Sequence, residues 1–147
     1  MSYPLSIAAG VAGLVALAGT TSKCFYQFFR SIYNAPATAR DLASALYTLK
    51  IALGQIQENL LNPRFVAVAE DDQIASLEAC MTSCVTIFSD IQAKVNKSGL
   101  ADAQQNPVKK TWESVRASYN EDDLRESLRR VEAEKTTLLL VVDIFSA

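Results

Sequence analysis

Apolar side chains recur at alternating spacings of four and three residues in three separate stretches of the chain. This spacing places them on one face of an α-helix, and it is typical of helices that pack at a shallow angle in a bundle. The seams are Leu42, Leu46, Leu49, Leu53, Ile56 and Leu60; Ile74, Leu77, Met81, Cys84, Phe88, Ile91 and Val95; and Leu124, Leu128, Val131, Lys135, Leu138, Val142 and Phe145. The pattern predicts three long amphipathic helices.

Breaks between these stretches predict where the helices begin and end. Pro36 starts the first amphipathic helix, because a helix tolerates proline where the missing N–H costs no hydrogen bond. Pro63 ends that helix, and Asp71 or Asp72 caps the next one. Asn120 caps the last helix and is followed by acidic residues, which face the positive end of the helix dipole.

Two further helices complete the predicted fold. An apolar first helix spans residues 5–33, and a short helix carries Val108, Trp112, Val115 and Tyr119 at helical spacing. We expect Trp112 to anchor the short helix, because a buried aromatic ring dominates a small contact between elements. No stretch shows the alternation of a strand. The sequence therefore predicts one all-α domain over residues 1–147, a bundle of four to five helices.

The composition argues against catalysis. The protein has no histidine, which removes the commonest general base and the commonest zinc ligand. Cys80 and Cys84 lie one helical turn apart, but no third metal ligand stands at a usable sequence spacing, so both are interpreted as packing residues. An odd number of cysteines, with Cys24 as the third, indicates reduced thiols in the cytosol. We predict no enzymatic activity, no cofactor and no metal site.

Charge is scarce and unevenly distributed. The net charge of −2 and the isoelectric point near 5.1 leave no basic field for nucleic acid. Residues 1–40 contain no acidic residue, and residues 1–22 contain no charge at all. This opening segment is about long enough to cross a hydrocarbon layer of ~30 Å.

The opening segment has more than one interpretation. Its alanines and glycines suit close helix packing in lipid, and they suit the core of a soluble bundle equally well. The run Ala16, Leu17, Ala18 resembles a signal-peptide cleavage site, but no basic residue precedes it, which disfavours a secretory signal.

Both ends of the chain resemble one known family. The run from Pro4 through Ile7 and Gly10 to Leu14 resembles the start of the HeLo-like N-terminal domains of fungal STAND proteins, which are NLR-type receptors. The later part is similar to the closing pattern of that family, a tryptophan, a leucine-rich helix and a lysine before a short apolar stretch. The matching residues are Trp112, Leu124, Leu128, Lys135 and Leu138.

The resemblance implies a cell-death effector domain, similar to the four-helix executioners of necroptosis. Such a domain stays inactive in the cytoplasm until an attached or partner NLR receptor, or an amyloid-forming segment, makes it oligomerise with itself. It then exposes the N-terminal helix, binds anionic membrane lipids and permeabilises the plasma membrane. One rival hypothesis is a soluble signalling or scaffold module that binds a protein partner. Another is a binder of a small ligand inside the bundle.

The effector hypothesis assigns roles to particular residues. The residues expected to insert into lipid are Leu5, Ile7, Val11, Leu14, Val15 and Leu17, and those expected to pack helix against helix are Ala9, Gly13 and Ala16. The residues expected to contact lipid headgroups are Lys23, Arg30, Lys94, Lys97, Lys109 and Lys110, of which the last four also fit an ordinary solvated loop. Lys135 interrupts an apolar seam, so it is either a latch for the closed bundle or a lysine whose amine reaches water.

Overall fold

Four long helices and one helical turn make up the architecture in the computed structural model. The structure describes residues 3–62, 71–98 and 110–146, but not the side chains of residues 3–6, 8, 71, 110, 142 and 144–146. In chain order the elements are α1 (Tyr3–Arg30), β1 (Ile32–Tyr33), α2 (Ala37–Leu60), α3 (Asp71–Lys97), β2 (Lys110–Thr111), α4 (Trp112–Val115) and α5 (Glu121–Ser146). The predicted all-α bundle is confirmed.

The heptad seams form the core. All six seam residues of α2 are buried, and in α3 only Met81 remains partly accessible. In α5, Leu124, Val131 and Leu138 are buried, Leu128 is partly buried, and the side chains of the last two predicted seam positions lie outside the described residues. Local apolar spacing therefore predicted which faces of these helices meet.

The helices form a ring in which α1 packs against α2 and α3, and α5 packs against the same two helices. The α3–α5 pair is antiparallel, because Arg130 binds Asp90 and Lys94 binds Asp123, with N–O distances of 2.8 and 3.8 Å. The α1–α2 pair is antiparallel too, since Arg30 and Arg40 line the same groove at the end where α1 leads into α2. The first and last helices thus occupy opposite corners of the bundle.

Helix α5 begins with the predicted cap. The Asp123 amide donates to Asn120 Oδ1 at 2.8 Å, and the Asn120 amide donates back to Asp123 Oδ2 at 3.3 Å. This reciprocal pair satisfies amide groups that a helix start otherwise leaves without partners. Pro36 is the cap of α2, as its position predicted, but makes no side-chain capping bond. Helix α3 starts at Asp71, so Asp71 and Asp72 lie in its first turn, not before it.

One very short strand pair accompanies the helices. Ile32 pairs with Lys110 and Tyr33 with Thr111 in a two-residue parallel ladder. A pair this short needs no alternating sequence pattern, because the packing of α1 and α4 brings the two segments together. Pairing also ends α1 at Arg30, three residues before the predicted end, and Asn34 then turns the chain with a positive φ of 63°.

The predicted short helix is smaller than expected. Helix α4 comprises one turn, Trp112–Val115. Val108 lies outside the described residues, and Tyr119 lies beyond the turn, in the segment that leads into α5. Val115 and Tyr119 are nevertheless both buried, so the apolar spacing identified core positions without a continuous helix.

Candidate functional site: the first helix and its surroundings

The large apolar side chains of α1 face the interior of the bundle. Val11 and Leu14 are 0 and 3% exposed, and Ile7 is also buried. Val15 and Leu17 are partly buried and pack against the same core, whereas the side chain of Leu5 lies outside the described residues. The residues expected to insert into lipid are therefore core residues in this state of the protein.

The small residues of α1 face outward. Ala9, Gly13 and Ala16, the expected helix-association positions, are all exposed, as is Ala12 beside them. A Cβ atom added to Gly13 would meet nothing within 4 Å. The hydroxyl of Thr20 donates to the Ala16 carbonyl at 3.1 Å, so even this polar side chain is turned back onto its own helix. The outward surface is smooth and uncharged.

A shallow groove separates α1 from α3. Its volume is about 460 Å³, and its walls are Gly10, Gly13, Leu14 and Leu17 on α1 and Glu78, Met81, Thr82 and Val85 on α3. The contact is close at one point, where a Cβ on Gly10 would lie 2.8 Å from Met81 Cε. The rest of the groove is open space between the two helices.

A larger groove of about 940 Å³ lies between α1 and α2. Four cations line it, namely Lys23, Arg30, Arg40 and Lys50, and no Asp or Glu is among its lining residues. The sequence prediction included Lys23 and Arg30 but missed Arg40 and Lys50. The antiparallel pairing of α1 and α2 brings the four together, although the acid-free stretch of residues 1–40 was a partial signal for it.

The other predicted headgroup contacts lie elsewhere. Lys94 is half-buried, sits 5.4 Å from the centre of the Tyr119 ring and pairs with Asp123. Lys97 is exposed at the end of α3, Lys109 lies outside the described residues, and the side chain of Lys110 is not described. Among these cations, Lys94 is engaged within the protein, and neither Lys94 nor Lys97 lines the large groove.

An aromatic cluster holds the end of α1 to the start of α5. The Tyr119 ring lies 6.2 Å from Phe25 and 6.0 Å from Phe29. The Tyr119 and Ser127 hydroxyl oxygens share a hydrogen bond 2.8 Å long. Burial raises the pKa of Tyr119 to about 12, against the opposing effect of the Ser127 hydrogen bond. Trp112 is half-buried, and its ring packs 6.2 Å from that of Phe29, so the proposed anchor joins this cluster from its edge.

Lys135 occupies an intermediate position on α5. Its side chain is 22% exposed, and Nζ lies 2.7 Å from Glu132 Oε2 one turn earlier. The stem is therefore packed while the amine has a partner at the surface, a geometry in which a charge costs little.

A pair of thiols and a carboxylate meet between α3 and α5. Cys80 and Cys84 are buried, and the Cys80 thiol donates to Glu134 Oε2 at 2.9 Å. The hydrogen bond with Cys84, burial and the hydrogen bond with Glu134 raise the pKa of Cys80. Sequence spacing found no third ligand for a metal because Glu134 follows Cys84 by 50 positions, and only the packing of α5 brings it there.

One described helical stretch, Asp72–Lys97 in α3, is long and apolar enough to cross a membrane by length and composition. In its most apolar window 39% of the residues are buried. A core helix of a bundle can be equally long and apolar. The composition of α3 is therefore explained by its packing in the core as readily as by a membrane span.

The fold defines an all-α bundle of four long helices. A family model described as pigment biosynthesis cluster protein PigL N-terminal matches residues 2–144, nearly the whole chain. The chain therefore belongs to this family of helical N-terminal domains. Comparisons with curated proteins and with solved structures find no match.

Proposed function

We propose that this domain is a non-enzymatic, membrane-active bundle whose first helix leaves the core and enters lipid when the protein oligomerises. One observation carries the proposal. From Ala9 to Thr20, α1 buries large apolar residues on one side and exposes only small or uncharged residues on the other. Such a helix can pack in a bundle, and it can also enter a membrane without burying a charge in lipid.

The uncharged outward face matters because a charge at the bilayer centre is costly. On insertion scales each Lys, Arg or Asp there costs ~2.5–3.5 kcal/mol. The first charge in the chain is Lys23, which stands after the apolar part of α1. Residues before it meet no such penalty, while Lys23 and Arg30 can remain at the headgroups.

Release of α1 must be triggered, because the closed bundle covers the helix well. Ile7, Val11 and Leu14 would be exposed to water unless lipid covered them. Two features favour this helix as the one that leaves. The groove along α3 leaves part of its boundary unfilled, and the Thr21 hydroxyl is buried with no hydrogen-bond partner among the residues that the structure describes. A buried hydroxyl without a partner costs ~1–3 kcal/mol, which release would recover.

The cationic groove supplies an attraction to anionic lipid. Lys23, Arg30, Arg40 and Lys50 line it without a neutralising acid among the lining residues. A cation near an anionic leaflet contributes ~1 kcal/mol. Tyr26 and Tyr47 stand beside these cations and are more than half exposed, at 55 and 57%. Tyrosines are common at membrane interfaces, where the ring and hydroxyl meet different environments.

Self-association completes the proposed mechanism. Ala9, Gly13 and Ala16 form a small-residue face, and such faces allow close helix approach in lipid. The resemblance to HeLo-like domains supplies the trigger, an attached or partner NLR receptor or amyloid-forming segment that brings copies together. The protein then moves from the cytoplasm to the plasma membrane.

The test is dye release from vesicles of anionic phospholipid and from vesicles of phosphatidylcholine alone. The informative variant is Ala12→Glu, which puts a charge on the outward face of α1 and leaves the core intact. Its matched control is Ala133→Glu at an exposed position of α5. Surface changes of this kind usually alter stability by about 0.5 kcal/mol or less.

With each protein dimerised through a fused domain, we expect anionic vesicles to leak with the wild type and with Ala133→Glu, and to stay intact with Ala12→Glu. Equal leakage by folded Ala12→Glu would exclude α1 as the inserting element. Deletion of residues 1–22 is a poor test, because it also removes Val11, Leu14 and Ala18 from the core.

A soluble interaction module is the second candidate. Tyr47 and Ile51 lie one turn apart on α2 and are 57 and 46% exposed, which gives this helix a partly apolar surface. A folded protein that binds neither vesicle type and releases no dye, even when dimerised through a fused domain, would favour this candidate.

A further inference from the structure

The thiol cluster between α3 and α5 has the composition of a metal site. The Sγ atoms of Cys80 and Cys84 and a carboxylate oxygen of Glu134 all lie within 4.8 Å of one another. The two cysteines are one turn apart on α3, so their side chains share a face of that helix, and α5 presents Glu134 to them. This arrangement comes from two helices that pack in one fixed antiparallel register.

Glu134 differs from the other glutamates of its helix. Glu121, Glu126 and Glu132 each form an ion pair with an Arg or Lys on α5. Glu134, within the part of the chain that the structure describes, forms no ion pair, and its hydrogen bond comes from the Cys80 thiol. The Glu134 carboxylate therefore accepts from the Cys80 thiol, while Arg129 and Arg130, which line the same groove, pair with Glu126 and Asp90.

We propose that Cys80, Cys84 and Glu134 bind a divalent ion of the zinc class, with water as the fourth ligand. Two thiolates select borderline or soft ions, and tetrahedral coordination by sulfur and oxygen is usual for Zn²⁺. The carboxylate disfavours Cu(I), which takes softer ligands. Each coordinating thiol gives its proton to solvent, so the ion replaces the protons that the cluster otherwise holds.

An ion can reach this cluster from the surface. Glu134 lines an open groove of about 330 Å³ between α3 and α5, together with Thr82, Thr86 and the paired arginines Arg129 and Arg130. A bound metal would link α3 to α5, and α1 contributes no ligand to it. The inference therefore does not depend on the membrane function.

The experiment titrates reduced, full-length protein with Co²⁺ and then Zn²⁺, without a chelating reductant. We expect one equivalent of Co²⁺ to produce the absorption of a thiolate–cobalt bond, one equivalent of Zn²⁺ to remove it, and protons to be released. Glu134→Gln keeps the size of the side chain and an acceptor for the Cys80 thiol. It should lower the affinity by about tenfold or more.

Two controls separate this site from other ligands. Glu132→Gln removes an exposed acid of the same helix, and Cys24→Ala removes the cysteine outside the cluster; both should bind metal like the wild type. The proposal is overturned if the cobalt spectrum shows no thiolate bond, or if Glu134→Gln binds as tightly as the wild type. A second measurement uses only the wild type, so it remains informative if a variant misfolds. In the wild type, Zn²⁺ should protect Cys80 and Cys84 from alkylation but not Cys24, and equal labelling with and without Zn²⁺ would also overturn it.

Discussion

Helices α1 and α5 occupy opposite corners of the same bundle and bury apolar residues on their inner faces, yet their outward faces differ in charge. On α5 the exposed face carries Arg125, Glu126 and Arg129, which form ion pairs along the helix. On α1 the corresponding exposed positions between Ala9 and Thr20 carry no charge. The requirements of folding are the same at both corners, so folding alone does not account for the contrast.

The contrast is the reason for proposing α1, and not α5, as the helix that enters lipid. Exposed ion pairs contribute only ~0–1 kcal/mol each, so the charges of α5 serve hydration more than stability. Helix α1 folds against the same core without them, and its smooth face costs little in water because the exposed side chains are small. In the proposed mechanism, that face is the surface that meets lipid.

Cavity variants should show that the inner faces are equivalent. Leu14→Ala in α1 and Leu124→Ala in α5 each remove a fully buried side chain, and each should destabilise the bundle by ~2–5 kcal/mol. Denaturant unfolding followed by circular dichroism measures the loss. A loss at Leu14 far below that at Leu124 would mean that α1 is held more loosely than its burial indicates. The two helices would then differ on their inner faces as well as on their outer ones.

The aromatic cluster that joins the two helices should make stability depend on alkaline pH. The pKa of Tyr119 rises from 10.0 to about 12 on folding. The folded protein thus holds the phenol proton more tightly, so this contribution is intact below pH 10 and is lost as the pH rises toward 12. The shift corresponds to about 2–3 kcal/mol.

Tyr119→Phe separates this effect from packing. At neutral pH it should cost about 1 kcal/mol through loss of the Ser127 hydrogen bond, and above pH 10 it should lose less stability than the wild type. Unfolding free energies from pH 8 to 12 provide the measurement, and Ser127→Ala controls for the hydrogen bond alone. Parallel pH profiles for wild type and Tyr119→Phe would contradict the assignment.

Placing a leucine on the outward face of α1 or of α5 tests whether only the face of α1 takes part in vesicle leakage. Gly13→Leu fills open space, and by helix propensity it should stabilise the bundle by roughly 0.5–1 kcal/mol. We expect it to reduce vesicle leakage several-fold and to leave co-sedimentation with lipid unchanged, because it blocks close helix approach. Ala133→Leu on α5 is the control that should affect neither. Full leakage by Gly13→Leu would remove Gly13 from the association face.

The smallest effect concerns the one lysine in the seam of α5. Lys135→Met keeps the packed stem and removes the ion pair with Glu132, so stability should change by about 1 kcal/mol or less, toward the more stable side. The latch hypothesis further predicts reduced leakage, since the closed state gains. Higher stability with unchanged leakage would leave Lys135 as a lysine that reaches the surface and has no role in opening.

Much of the fold was determined by local sequence. The seams of α2, α3 and α5 repeat within one or two turns, and the Asn120 cap acts over three residues, so neither needs a distant partner to be recognised. Periodicity failed for α1, because a helix that is apolar on every side has no pattern to orient it. Only packing decided that Val11 and Leu14 face inward and Gly13 outward.

Tertiary structure alone decided the candidate sites. Arg40 and Lys50 join Lys23 in one groove because α2 runs back along α1, and Glu134 reaches Cys80 because α5 packs antiparallel to α3. Each set combines residues separated along the chain by more than any local repeat. The physical reason is that periodicity specifies which face of a helix is buried, whereas the neighbour that meets this face depends on how all the buried faces fit into one core.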